Sequence, residues 1–163
     1  MEAETKPKIL YVEDANLMQV IIAENLRLYY QIFPARNGLE ALEKMAQEAF
    51  DAVLLDINMP ELSGYQFLGI IRGTYGLLRE DDRKKIEQRG EDYVKKALQG
   101  AYKGMPVIVM STDGMTNERR IMELGADAIV LKPYQNKKLL LIGAIDKVLA
   151  EKKANEPFSG ESG

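Results

Sequence analysis

The sequence predicts an α/β domain built on a mostly parallel sheet, and three observations predict it. Short apolar runs alternate with stretches of helical periodicity along most of the chain. The runs Ala52–Leu55, Val107–Met110 and Ala128–Leu131 are apolar without polar alternation, as strands covered on both faces are. Finally, a residue able to act on a phosphoryl group stands where each of four such runs stops. Glu13 and Asp14 follow Ile9–Val12, Asp56 follows Ala52–Leu55, Ser111 follows Val107–Met110, and Lys132 follows Ala128–Leu131. In an open parallel sheet the carboxyl ends of the strands share one crevice, so these five residues are expected in one site.

Taken in order, Ile9–Val12 is the first strand. Met18, Ile22 and Leu26 recur at fourfold spacing behind it and predict a helix packed on the sheet, with Leu17, Val20 and Ile21 widening its apolar stripe. Tyr30–Phe33 is a second, more polar strand nearer an edge. Asn37-Gly38 makes a turn, and Leu39, Leu42, Met45, Ala46 and Ala49 mark the buried side of a second helix. The third strand ends at Leu55, Pro60 and Gly64 frame a turn, and Tyr65–Ile71 opens the third helix. The fourth and fifth strands are separated by a helix ending at Leu124-Gly125, where glycine suits a left-handed cap. Leu141, Ile145, Val148 and Leu149 form the apolar face of the last helix, and residues 151–163 read as a frayed polar tail.

About thirty residues separate Arg72 from the fourth strand, far more than an ordinary connection. Tyr93, Val94, Ala97, Leu98, Ala101 and Tyr102 recur there at helical spacing. The segment at about 73–104 is therefore expected to extend the third helix or to add a pair of helices broken near Gly90. Its stripe reads as a small satellite core more readily than as a docking surface.

At 163 residues and 46% hydrophobic, the chain suits one core, with a single domain over 1–150 followed by the tail. A net charge of −3 without a basic stripe argues against a nucleic-acid surface, and no segment resembles a membrane span or a leader, so the expectation is a cytoplasmic protein. The chain has no cysteine and no histidine. That excludes disulfides, thiolate nucleophiles, sites built on Cys or His, and triads that need an imidazole. Any metal must be a hard cation held by oxygen. Any phosphoryl group that passes through a histidine must start on another protein.

Three carboxylates close together pose an electrostatic problem. At an effective dielectric near 20, two unit charges ~4 Å apart repel by about 4 kcal/mol. Magnesium suits such a cluster, since it takes oxygen ligands and keeps waters or a substrate phosphate in its shell. Glu13, Asp14 and Asp56 would hold it, with the backbone carbonyl of Asn58, and Lys132 would offset the remaining charge. Asp56, on the central strand, is the natural nucleophile for a phosphoryl group, and Ser111 and Lys132 would contact the transferred oxygens.

These residues resemble the receiver domains of two-component response regulators, the chemotaxis regulators among them. Val12-Glu13-Asp14 is similar to that family's acidic start, Asp56-Ile57-Asn58-Met59-Pro60 with Ser63-Gly64 to its acceptor loop, Pro106–Ser111 to its switch strand, and Gly125-Ala126-Asp127 through Leu131-Lys132-Pro133 to its final strand and lysine. The resemblance covers roughly residues 7–150 outside the 73–104 segment. It implies a flavodoxin-like (βα)5 sandwich with a five-stranded sheet in the order 2-1-3-4-5, a fold for which a member of this family is itself a standard example. It implies Mg2+-dependent transfer from a partner phosphohistidine to Asp56, a sensor histidine kinase or histidine phosphotransfer protein as donor, and a downstream protein as target. By the same analogy Asn58 and Asp113 tune hydrolysis of the acyl phosphate, and the Lys132-Pro133 bond is cis.

Two positions depart from the family's habit. Ser111 stands where threonine is common and keeps the hydroxyl. Ile129 stands where a tyrosine or phenylalanine usually reports the phosphorylated state, so the route from Ser111 to the outer face lacks that ring. The expectation is a signalling phosphoacceptor rather than an enzyme, monomeric or weakly dimeric, whose output face is the fourth helix with the fourth and fifth strands. Too little chain follows residue 150 for an output domain, so the output is expected to be a contact with another protein or to lie in a domain outside this sequence. The competing readings are a haloacid dehalogenase-like phosphatase, which typically has a second acid where Asn58 stands, and a non-phosphorylated pseudo-receiver acting as an adaptor.

Overall fold

Five parallel strands form one sheet in the order β2-β1-β3-β4-β5 in a computed structural model of the chain, which describes residues 5–59, 61–111, 115–132 and 138–155. The strands are β1 (Lys8–Val12), β2 (Gln31–Ala35), β3 (Ala52–Asp56), β4 (Val107–Ser111) and β5 (Ala128–Leu131). The helices are α1 (Asn16–Leu26), α2 (Gly38–Gln47), α3 (Gly64–Arg72), α4 (Glu80–Glu87), α5 (Asp92–Leu98), α6 (Met115–Leu124) and α7 (Lys138–Asn155). The fold and its strand order are those expected of a flavodoxin-like sandwich. Pro60, Asp113, Pro133 with its preceding peptide bond, and residues 156–163 lie outside the described residues.

Strand periodicity divides the core between the two faces of the sheet. Leu10, Val12, Val53, Leu55, Val107 and Val109 face one cluster, completed by α2, α3, α5 and α6. Ile9, Tyr11, Ala52, Leu54, Ile108, Met110 and Val130 face the other, completed by Ile22 and Leu26 of α1 and Leu141, Ile145 and Val148 of α7. Burial on both sides explains why β3 and β4 read as unbroken apolar runs.

Between α3 and β4 the chain forms a 3₁₀ turn (Tyr75–Leu77), then α4 and α5, with the break at Gln88–Glu91. Ile86, Val94 and Ala97 are buried and join the α2/α3 cluster. The stripe expected to make a satellite core is thus continuous with the main one. Ala101 is exposed, because α5 stops at Leu98.

Other expectations need correction. Leu17 and Val20 are 71% and 61% exposed and Ile21 is 39% exposed, so the buried stripe of α1 is only Met18, Ile22 and Leu26. In α2 the buried positions are Gly38, Ala41, Leu42 and Met45, whereas Ala46 lies on the solvent face of the helix and Ala49 is exposed beyond its end at Gln47. Asn37 caps α2 rather than making a separate turn, its side chain accepting from Glu40 N at 2.8 Å. β2 runs through Pro34 to Ala35, which an edge strand tolerates since proline lacks only a donor there. α7 continues through residues 151–155, where a polar tail was expected.

Arg72, at the end of α3, ties together the sheet edge opposite the carboxyl ends. Its Nε donates to Gly125 O (2.8 Å), Nη1 to Lys103 O (2.9 Å) and Nη2 to Asp127 Oδ2 (2.6 Å). The same Asp127 oxygen accepts from Val107 N at 2.8 Å. Gly125, which follows α6, has φ +111°, and a Cβ there would sit 2.7 Å from Arg72 Cγ, so glycine is required twice over.

Gly64 is the tighter constraint. A Cβ at this position would lie 2.5 Å from Ile57 Cα and 2.7 Å from Asp56 O, both backbone atoms that cannot swing aside. Gly64→Ala is expected to lower the unfolding free energy by about 1–3 kcal/mol in urea titration through overpacking. An unchanged midpoint would show that the loop after β3 is free to shift.

Candidate functional site

Register alone brings the acids together. Val12 pairs with Leu55, so Glu13 and Asp56 are the next residues on adjacent strands. Asp56 pairs with Met110, and Ser111 pairs with Leu131, one residue before Lys132. Glu13 is held in line by its N–H to Ala35 O (2.9 Å), and Lys132 by its N–H to Ser111 O (2.7 Å).

Carboxylate oxygens of Glu13, Asp14 and Asp56 all lie within 4.8 Å of one another. Glu13 and Asp56 are 2% and 4% exposed, and Asp14 is open to solvent. Lys132 Nζ is 3.1 Å from Asp56 Oδ1 and 3.6 Å from Glu13 Oε1. Asn58 N lies 3.4 Å from Asp56 Oδ1. Ser111 is fully buried at the end of β4. The structure therefore gathers Glu13, Asp14, Asp56, Asn58 and Lys132 around one point and places Ser111 on the adjoining strand.

One lysine cannot neutralise three acids. Burial pushes the Glu13 carboxyl from an ordinary 4.5 up to about 8, helped by its hydrogen bond and charge interaction with Asp56 and by Asp14, against the pull of Lys132. Its Oε2 atom is buried without a hydrogen-bond partner among the described residues. A site of this kind, acids in excess of cations with a donor set made only of oxygen, suits a hard divalent cation.

Two polar side chains that the sequence did not single out, Gln19 and Gln66, hold this geometry together with Ser63. Gln19 in α1 donates from Nε2 to Glu13 O (2.9 Å), Ala35 O (3.1 Å) and Tyr11 O (3.3 Å), fixing the ends of β1 and β2. Ser63 and Gln66 form a reciprocal capping box at the start of α3. Gln66 Nε2 also reaches Asp82 Oδ1 of α4 at 2.9 Å. The Ser-x-x-Gln spacing was legible as a cap, whereas Gln19 gave no signal beyond lying beside the apolar stripe of α1. Tyr11, buried in β1 below the acids, read only as a strand residue. Asp14 does not cap α1, whose N-cap is Ala15 with no side-chain bond.

Residues 9–78 match a family profile described as the response regulator receiver domain. The response regulator protein FleR of Pseudomonas aeruginosa is 30% identical over 135 residues, spanning 82% of this chain and 23% of that protein. Among solved structures, the chemotaxis response regulator CheY4 of Vibrio cholerae superposes with a TM-score of 0.63 at 23% identity, covering 88% of this chain and 99% of that one. The receiver domain of the sensor histidine kinase PA1611 from Pseudomonas aeruginosa, solved with a magnesium ion coordinated in its active site cleft, gives a TM-score of 0.64 at 21% identity, with 90% and 99% covered. The chain spans less than half the length of the curated relatives it matches.

The Glu13 shift has a consequence for stability. The folded state holds this proton more tightly than the unfolded chain does, so the contribution is full below about pH 4.5 and is lost as pH rises through about 8. Without divalent cations the melting temperature should fall across that window. Glu13→Gln should flatten the fall, as followed by circular dichroism. A parent and variant with superimposable pH profiles would show that Glu13 does not titrate there.

Proposed function

We propose that this chain, which carries a response regulator receiver domain, accepts a phosphoryl group from a partner's phosphohistidine onto Asp56 and thereby switches its contact with a protein target. The observation that carries this reading is the convergence of three carboxylates within 4.8 Å with an ammonium 3.1 Å from Asp56. These 163 residues hold no histidine, so the donor is read as a phosphohistidine outside them, on a sensor histidine kinase or a histidine phosphotransfer protein.

Glu13, Asp14 and Asp56, with the Asn58 carbonyl, would hold Mg2+, and the unpartnered Glu13 Oε2 and the oxygen-only donor set favour that fit. Bound there, Mg2+ supplies positive charge against the phosphoryl oxygens. A carboxylate oxygen of Asp56 forms the bond to phosphorus as the phosphorus–nitrogen bond of the phosphohistidine breaks, and that electron pair leaves on the partner's imidazole. Lys132 then exchanges its contact with Asp56 Oδ1 for a phosphoryl oxygen, and the Ser111 hydroxyl donates to another. Each charge-assisted hydrogen bond contributes about 1.5–3 kcal/mol. Two approach the ~5.5 kcal/mol that carries a two-state equilibrium from 1:99 to 99:1. By analogy with the family, Asn58 and Asp113 are the residues that tune how fast the acyl phosphate hydrolyses.

The chain acts as a phosphoacceptor rather than a turnover enzyme, as a cytoplasmic monomer or weak dimer, through the face of α6, β4 and β5. Ile129 is half-buried on that face without an aromatic ring, so the readout runs through the backbone of β4 and β5.

Intact-mass measurement after acetyl phosphate and magnesium chloride tests the acceptor. The parent should gain one phosphoryl group and Asp56→Asn none, and chelation should suppress the gain. An unmodified parent, or equal labelling of both, overturns the assignment. Steady hydrolysis of a phosphomonoester would instead favour the phosphatase reading.

A further inference from the structure

We propose that the Tyr11 hydroxyl is a positioning group of the acidic cluster, joined through one buried water to Glu13 Oε2 and holding that carboxylate in the orientation that takes a divalent cation. The inference rests on the cation reading above and adds a residue to it.

Tyr11 is 0% exposed, in the sheet face that it shares with Leu54, Met110 and Val130. Packing in this place asks only for a ring, which phenylalanine supplies without a polar atom to satisfy. A buried tyrosine hydroxyl ordinarily finds a partner, since leaving it unmade forfeits its hydration. Tyr11 Oη has none among the described residues.

The second orphan identifies what is missing. Glu13 Oε2 is also buried and unpartnered among the described residues, and Glu13 follows Tyr11 by two residues, one past the end of β1, where its N–H still bonds Ala35 O and strand alternation puts it on the side of Tyr11. Two residues of strand advance about 6.6 Å, a span that the tyrosine ring and a single water can bridge. The register agrees, because Tyr11 pairs with Leu54, two residues before Asp56. A phenolic O–H is a donor, and the carboxylates of Glu13 and Asp56 offer acceptors. Lys132 takes the Oε1 side of Glu13, and Tyr11 takes Oε2. The carboxylate is thereby gripped from both oxygens, as ligands to metals commonly are by a second layer of hydrogen bonds.

Tyr102 provides the control. Its hydroxyl is likewise buried and unpartnered among the described residues, but it lies far from the acidic cluster, in a pocket lined by Met45, Phe50 and Met105 together with Gln47 and Glu48.

Magnesium chloride titrated calorimetrically into the parent, Tyr11→Phe and Tyr102→Phe decides the matter. Tyr11→Phe should bind about tenfold more weakly, and Tyr102→Phe as the parent does. Magnesium should also produce a near-ultraviolet tyrosine difference band in the parent that Tyr11→Phe lacks, a signature that packing alone does not give. Equal affinities for parent and Tyr11→Phe, or a variant that loses only thermal stability, overturn the inference and leave the cation reading standing. A parent with no magnesium heat removes both. Should Tyr11→Phe fail to fold, the parent's difference band decides alone, and its absence in a parent that binds magnesium overturns the role.

Discussion

Everything at the carboxyl end of this sheet follows from crowding negative charge where water is scarce. Parallel pairing sets Glu13 level with Asp56, and neither can retreat, because Asp56 ends β3 and Glu13 directly follows β1, both strands buried on both faces. Lys132 is the one counter-charge within contact distance among the described residues. Removing one partner of such a buried pair leaves a charge uncompensated, a larger penalty than the pair's own net worth. The site is therefore a frustrated one by construction. Its energy drops when positive charge enters, and that is the property a cation-dependent phosphoacceptor needs.

The rest of the fold keeps the frustration from relaxing. Gln19 pins three carbonyls at the ends of β1 and β2, so the acidic start cannot peel away from the sheet. On the other flank, Gly64 lets the start of α3 press against the backbone of Asp56 and Ile57, and the capping box fixes its direction. Glu61, between them, adopts φ 62°, a left-handed conformation uncommon for a side chain of this type and tolerated in a loop held at both ends. Rigidity here is assembled from small polar contacts on top of an apolar frame.

Most of that frame was legible because burial on two faces writes itself into β1, β3 and β4 as uninterrupted apolar runs, β5 reads as apolar too although it is an edge strand with Leu131 exposed, and the reactive residues sit where those runs stop. Helix faces were less legible. Leu17, Val20 and Ile21 look like core residues, yet α1 rests on the sheet along a line narrow enough for Met18, Ile22 and Leu26 alone. The second strand was expected over Tyr30–Phe33, yet β2 runs through Pro34 to Ala35, which its place at the sheet edge permits. In the 73–104 segment, periodicity found the helix but not its destination, since nothing local says that Val94 and Ala97 will close the same core as Leu42 and Phe67. Gln19, Gln66 and Tyr11 were invisible as site residues because each acts through atoms that only the tertiary arrangement brings near.

The Arg72 guanidinium gives the sheet two unlike ends. Its five-donor fork joins the close of α3, the turn before β4 and the approach to β5, while Asp127 clasps the first residue of β4. β4 and β5 are consequently built like cantilevers, clamped at the root and loaded at the tip, where Ser111 and Lys132 stand. A beam held this way delivers a small push at its free tip as a tilt along its length, so the clamp confines deformation to the side of the molecule that carries the chemistry.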